Sequence, residues 1–455
     1  MLYESIPYQS PHTLLARLPQ QNLALLESAR HCPQQGRYSY IGVDPHAVFE
    51  YDAADPLVFS NLLAYQDRIC ADNQPHLPPF QGGLIGYLSY DLLSVLEPTV
   101  VITHADIHVP LFCFYAYDLV ISFDHQLQQA FILSTGASLC SDETGKRAHD
   151  RLCQLKKWVS STFFQQTIGP PQYSPLQCLT PIDQYLGQVE TVKSHILAGD
   201  IFQANIARCF RTQWTANASP WSLYQALRCS NPAPYAAWLN FNAVQLYSSS
   251  PELFLDLQCG GAVTTRPIKG TAARASDPRQ DLHLADALRH SLKNRAENTM
   301  IVDLLRNDLS RVCYPESIEV AQWCVLESYQ SVHHLVSEVK GCLQKRYHFG
   351  DLLAASFPGG SITGAPKISA AKIIDALEPI NRGPYCGSIG YINKDGAVKF
   401  SIAIRTIIAV HQETIYLHAG GAITAASDPD DERAEIDHKL QAIRSIFASD
   451  HGYWS

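Results

Sequence analysis

Residues 264–274 read Thr-Thr-Arg-Pro-Ile-Lys-Gly-Thr-Ala-Ala-Arg. The lead-in Val263, Thr264 and Thr265 is β-branched, so the stretch reads as a strand running into a turn. Pro267 stiffens the entry, and Gly270 removes the side chain where something must approach the backbone closely. Lys269 falls between Ile268 and Gly270, seventeen residues after Glu252 in Ser250-Pro251-Glu252. A lysine beside a turn is ordinarily a solvated surface cation. The acids found farther along the chain make a nucleophile the competing reading of Lys269.

Outward from that turn, Tyr235–Asn240 and residues 244–248 read as strands, and residues 281–309 as one long helix, followed by residues 329–339. A helix over residues 183–198 ends at Gly199, and another lies near residues 366–377. The C-terminal part is strand-rich over residues 387–392, 398–410 and 414–418, and a last helix starts at Ser427-Asp428-Pro429. Before the turn, residues 1–165 alternate strands (23–26, 48–51, 112–121, 130–133) with helical patches, one of them at 148–159. Residues 166–182, with Gly169-Pro170-Pro171, Pro175 and Pro181, read as a linker to a catalytic region over 183–455. Strands and helices mix without regular βαβ spacing. This predicts an α+β chain with a mixed or antiparallel sheet.

A chain of 455 residues, 46% hydrophobic and 17% charged, can bury a large core. Its net charge of −9 gives no electrostatic case for nucleic acid or an anionic membrane. Residues 402–410, one of the longest apolar runs, are broken by Arg405 and too short to span a bilayer. Met1–Ser5 has neither a basic nor an apolar leader segment. Thirteen cysteines are scattered singly, without metal spacing and without a Gly-x-Cys-x-Gly glutaminase elbow. Reduced thiols in a cytoplasmic setting are the expectation.

Three groups could carry chemistry. On the last helix Glu432, Glu435 and Lys439 share a face with Ile436, Leu440, Ile443 and Phe447, the stripe that must face the core. Glu297 likewise aligns with Ile301 and Leu304. Inward carboxylates are costly unless paired or bound to something, so either a salt-bridged cap or a shared Mg²⁺ on Glu297, Glu432 and Glu435 would account for them. Asp303, Arg306, Asn307 and Asp308 read as a structural polar network. Gly359-Gly360-Ser361-Ile362-Thr363-Gly364-Ala365-Pro366-Lys367 looks like a phosphate loop and fails as one, because Ala365-Pro366 separates the glycine from the lysine and Pro366 has no amide hydrogen. A loop for another small polar ligand remains open. Arg405 would pair with a carboxylate, either structural or substrate. Of His333 and His334, one is expected to be exposed.

Residues 80–87, 199–206, 250–252, 266–271, 296–308, 332–337, 357–367, 383–391, 401–406 and 419–439 together resemble the chorismate-utilising enzymes. That family comprises the anthranilate, aminodeoxychorismate, isochorismate and salicylate synthases. The resemblance implies a large sandwich of mixed or antiparallel sheets with helices packed outside. Pro-Ile-Lys-Gly-Thr around Lys269 is similar to the aminodeoxychorismate-forming members, where anthranilate- and isochorismate-forming ones typically carry alanine. Gln203 stands where the water-adding members carry a lysine. The resemblance implies Mg²⁺ held by Glu297, Glu432 and Glu435, with Lys269 as nucleophile and Glu252 as general acid/base. It places substrate on Thr271, His334, Thr363, Tyr385, Arg405, Gly420, Gly421 and Lys439. The partners it implies are chorismate, ammonia and a separate glutaminase subunit, and the product is 4-amino-4-deoxychorismate. The alternative within the family is anthranilate formation with loss of pyruvate. Two departures stand out. Asn294 replaces the glutamate that anthranilate-type enzymes carry three residues before Glu297, which lowers the negative charge near the metal. Residues 25–28 and 231–235 resemble the segments that form the tryptophan pocket of anthranilate synthases, so they either keep a regulatory or structural tryptophan site or are inherited core, the reading preferred here.

Overall fold

The computed structural model describes residues 1–29, 36–52, 57–138, 144–162, 172–216, 219–329 and 332–447. Among them, thirteen strands form one antiparallel sheet and ten form a second. The first sheet runs, in spatial order, Leu2–Ile6, Gln129–Ser134, Leu119–Asp124, Tyr38–Val43, Leu23–Glu27, Tyr235–Asn240, Val244–Ser250, Thr406–Val410, Thr414–Ile423, Gln203–Ala216 and Gln177–Cys178. The second runs Ile268–Ala273, Val332–Cys342, Ala262–Arg266, Leu253–Leu257, Val398–Ile402, Ser388–Asn393, Gly83–Leu88, Phe112–Tyr117 and Ala47–Tyr51, with Glu319–Ser328 beside Val332–Cys342.

The main core lies between the sheets, where Leu239, Leu246 and Ile408 of the first meet Leu84, Phe254 and Phe400 of the second. The other face of the first sheet is covered by helices that supply Leu155, Tyr185, Leu223, Ile374 and Ile436. Each helix buries one stripe, as an amphipathic surface helix must. The expected α+β sandwich with outside helices is the fold observed.

Strands from before and after residues 166–182 are neighbours in both sheets. Tyr235–Asn240 pairs with Leu23–Glu27, and Ser388–Asn393 pairs with Gly83–Leu88. Within 166–182, residues 166–171 lie outside the described residues, while Gln172–Tyr173 and Gln177–Cys178 pair with Gln203–Ala216.

Three expected elements divide. Residues 112–121 form two strands, Phe112–Tyr117 in the second sheet and Leu119–Asp124 in the first. The buried Asp118 stands at the crossover and pairs with Arg151 at 2.9 Å. Residues 398–410 divide in the same way into Val398–Ile402 and Thr406–Val410. An apolar run that changes sheets keeps its hydrophobicity, because both strands face one core, and only the polar residue at the corner marks the break. The helix expected over 281–309 is two helices, Pro278–His290 and Leu292–Ser310. Ser291 ends the first and caps the second, its side chain accepting from the Asn294 amide. Residues 329–339 fall largely on the strand Val332–Cys342, with 330–331 outside the described residues. Both His333 and His334 are buried there, against the expectation that one would be exposed.

Candidate active site

Lys269 sits in an irregularity of its strand. The pairing of Ile268–Ala273 with Val332–Cys342 shifts register between Ile268 and Thr271, so Lys269 and Gly270 form the extra span. Gly270 has φ +84°, and a Cβ there would stand 2.9 Å from Asn294 Cγ and from Leu288 Cδ1. Glycine is thus required both for the backbone angle and for the approach of the helix Leu292–Ser310. The bulge turns Lys269 inward to 8% exposure, and Nζ donates to the Ser361 carbonyl at 2.8 Å. Burial pushes the lysine pKa down, against the Glu297 and Glu252 charges, which favour the ammonium.

Glu252 and Arg405 occupy two neighbouring corners where the chain passes between sheets. Glu252 separates Val244–Ser250 from Leu253–Leu257, and Arg405 separates Val398–Ile402 from Thr406–Val410. The corners are tied together: Ile402 N donates to Glu252 O at 3.0 Å, and Ser249 N to Arg405 O at 3.1 Å. Arg405 holds φ +51°, a left-handed backbone angle outside the extended range of regular strands. The Glu252 carboxyl is 4% exposed, and burial raises its pKa against the opposing effects of a Ser361 hydrogen bond and the Lys269 charge. A lysine eased toward neutrality beside a carboxyl eased toward protonation is an arrangement chemically capable of nucleophilic attack with proton donation.

The acids on the two helices meet across the glycine strand Thr414–Ile423. Glu432 Oε1 accepts from Ser427 Oγ at 2.6 Å and lies 3.3 Å from Lys293 Nζ. Lys439 Nζ pairs with Glu435 Oε1 at 2.6 Å and donates to the Gly420 carbonyl at 2.9 Å. Glu432 is buried as expected. Glu435 is a rim group, its side chain 49% exposed although its Oε1 stays near Gly421 of the strand Thr414–Ile423. Burial acts to raise the Glu435 pKa, and the Lys439 charge prevails and lowers it. Glu297 is buried with Oε1 unpartnered among the described residues, and burial raises its pKa.

Among the described residues, no three His, Cys, Asp or Glu side chains are drawn together tightly enough to grip an ion. The residues do fit a hard divalent cation by chemistry. Glu297 Oε1 is an orphaned buried oxygen, and the donor set is all carboxylate. Gly421 also leaves open the space where a Cβ would lie 3.1 Å from Glu432 Oε2 and 3.7 Å from Glu435 Oε1.

The remaining expected positions surround this centre. Thr271 Oγ1 and His334 Nδ1 are 3.0 Å apart across paired strands. Thr363 is fully buried, its hydroxyl donating to Gly359 O at 3.0 Å. Gly420 must be glycine, since a Cβ would meet Ile206 O at 2.4 Å. Tyr385 stacks on His418, with ring centroids 5.0 Å apart and planes at 12°. Asp303 and Arg306 form an exposed pair at 3.0 Å, so the expected network does not include Asp308. Asp308 is instead buried against Lys367 at 2.8 Å, which also removes Lys367 from any phosphate role.

Sequence reading missed Ser361, Ser427, Lys293 and His418. Lys293 precedes Glu297 by one helical turn, and His418 precedes Gly420 by one strand repeat, so both were findable by periodicity. Ser361 meets Lys269 through its carbonyl, for which no side-chain signal exists, and Glu252 through its hydroxyl. His418 is buried with both ring nitrogens unpartnered among the described residues, and burial with the nearby Arg382 charge pushes its pKa down to about 3.

Comparison with known proteins places this geometry in a class. The chorismate binding enzyme family matches residues 23–445, and the chain belongs to that family. It is 38% identical over 365 residues to aminodeoxychorismate synthase component 1 of Escherichia coli, covering 80% of this chain and 77% of that protein. It is 40% identical over 379 residues to the chloroplastic aminodeoxychorismate synthase of Arabidopsis thaliana. That alignment spans 80% of this chain and only 40% of the longer plant protein. Among solved structures, anthranilate synthase component I of Streptococcus pneumoniae superposes with a TM-score of 0.78 at 28% identity, over 92% of this chain and 93% of that one. The protein is therefore an enzyme of the chorismate binding family, with relatives in the aminodeoxychorismate and the anthranilate branches.

Proposed function

We propose that the chain aminates chorismate to 4-amino-4-deoxychorismate, using ammonia from a separate glutaminase subunit, on the route to para-aminobenzoate and folate. The observation that carries this reading is Lys269, buried in a glycine bulge with Nζ on the Ser361 carbonyl and Glu252 beside it. A cytoplasmic setting accords with the lack of any disulfide, and of any helix long and apolar enough to cross a membrane, among the described residues.

Arg405, with the Gly420–Gly421 segment, would hold the enolpyruvyl carboxylate, and Tyr385, Thr363 and the Thr271–His334 pair would line the ring. Glu297, Glu432 and Glu435 would hold Mg²⁺, which when bound draws electrons from the ring through its carboxylate. Neutral Lys269 forms a bond to C2 while the C4–O bond breaks and the two ring double bonds shift. Glu252 donates the proton with which the hydroxyl leaves as water. Ammonia then forms the C4–N bond as the C2–N bond breaks, the double bonds return, and Glu252 takes up the surplus proton. Lys269 is regenerated and the enolpyruvyl ether is intact.

The test is product identification from purified chain, chorismate, Mg²⁺ and ammonium. The expected product is 4-amino-4-deoxychorismate without pyruvate. Fluorescent anthranilate with stoichiometric pyruvate would overturn the reading in favour of the anthranilate branch.

A further inference from the structure

One ammonium pairs with the buried Glu432 of the carboxylate trio from the helix that carries Glu297. Lys293 Nζ is 3.3 Å from Glu432 Oε1 and also faces the Glu297 and Glu435 charges. Its stem lies on the same helix as Glu297, one turn earlier, so the helix Leu292–Ser310 delivers both an acid and its counter-cation to one place. Glu432 does not need Lys293 to stay in position, because Ser427 Oγ bonds the same oxygen at 2.6 Å and is itself held by the Thr424 turn. The Lys293 side chain is 43% exposed, whereas Glu432 is buried, so the lysine has a solvent-side route of departure that the acid lacks. Lys439 is placed differently, pairing with the rim acid Glu435 and bonded to the Gly420 carbonyl.

We propose that Lys293 is a built-in competing cation, which occupies the carboxylate trio and is displaced toward solvent when a divalent metal binds there. The proposal rests on the metal reading given above and adds a determinant of metal affinity to it. Two like-signed ions cannot share three carboxylates at contact distance without repulsion, and the flexible lysine is the one able to leave. Lys293 thereby sets how much free metal the site requires, and it keeps the acids neutralised until the metal arrives. Asn294, next to it, works in the same direction by supplying no charge where a glutamate would favour the metal.

The test uses the full chain and Mg²⁺ alone, with calorimetric titration and thermal melting as readouts. Lys293→Met is expected to bind Mg²⁺ about five-fold more tightly than the parent, the upper scale of one partly solvated ion pair. It should also melt lower without metal and gain more on adding it. In the unmutated chain, mass-spectrometric mapping of amine acylation should show Lys293 labelling rise on adding Mg²⁺, a readout that needs no variant to fold. Equal or weaker Mg²⁺ binding by Lys293→Met, with Lys293 labelling unchanged or reduced by Mg²⁺, overturns the competition while leaving the metal site standing. If neither chain binds Mg²⁺ and Glu297→Gln alters nothing, the metal reading itself falls and the proposal falls with it.

Discussion

At the residue scale the central contrast is between Lys269 and the surface lysine it could have been. The chemistry proposed for it depends on an amine that burial makes easier to deprotonate, facing a carboxyl that burial makes harder to deprotonate. The two have opposite consequences for stability. The Lys269 contribution is present at high pH and is lost as pH falls and the buried amine must take a charge. The Glu252 contribution is present at low pH and is lost as pH rises through its raised pKa. Turnover should therefore be bell-shaped in pH. Glu252→Gln should leave a residual rate that only rises with pH, since deprotonation of Lys269 is then the one requirement left, and a surviving alkaline fall would assign that limb elsewhere. Intact-mass analysis with chorismate and no ammonia should show an adduct mapping to Lys269. Lys269→Ala turning over normally without an added amine would remove it as nucleophile.

At the scale of elements, one buried ion pair holds the glycine loop to the glycine strand's neighbour. Arg382 donates to Glu378 at 2.8 Å through Nε, to Ile362 O at 3.1 Å through Nη1 and to Asn205 O at 2.6 Å through Nη2. Glu378 in turn accepts from the Ala207 amide at 2.9 Å. The pair thus satisfies backbone groups on the edge of Gln203–Ala216 that faces away from Thr414–Ile423, between its short pairings at 203–204 and 210–211, and it fixes the loop whose Ser361 carbonyl receives Lys269. Arg382→Ala leaves a buried carboxylate without its counter-charge and two carbonyls without this donor, and should cost about 3–5 kcal/mol in a denaturant melt. A loss below about 1 kcal/mol would mean that water replaces the guanidinium there.

At the scale of the whole molecule, the interleaving of strands decides what can fold. Removing residues 1–165 would strip Leu23–Glu27 from beside Tyr235–Asn240 and Gly83–Leu88 from beside Ser388–Asn393, and with them about two fifths of the core between the sheets. Two long unpaired edges would be exposed. Residues 183–455 expressed alone should aggregate or show no cooperative melt by circular dichroism. A sharp thermal transition from that fragment would show that the second half holds a core of its own.

The α+β class, the helix that ends at Gly199, the proline-led closing helix and the strand Tyr235–Asn240 could be read from the chain, because periodicity, caps and branched side chains are local signals. The acids on the two helices were legible for the same reason, as charges on otherwise apolar faces. The two sheet-crossing corners at Asp118 and Arg405 were not, since the strands on either side share one core and read as a single apolar run. Nor were the Ser361 carbonyl under Lys269, the burial of both His333 and His334, or the rim exposure of Glu435 legible. Each of these depends on which element packs against which, and sequence spacing along one element carries no record of that. By itself the sequence marked Lys269, Glu252 and the inward acids of two helices as candidates for chemistry, and it set the α+β class. The tertiary structure alone decided that Lys269, Glu252 and the carboxylates Glu297 and Glu432 lie buried around one glycine loop and strand, because long-range sheet pairing brings together residues up to 180 positions apart.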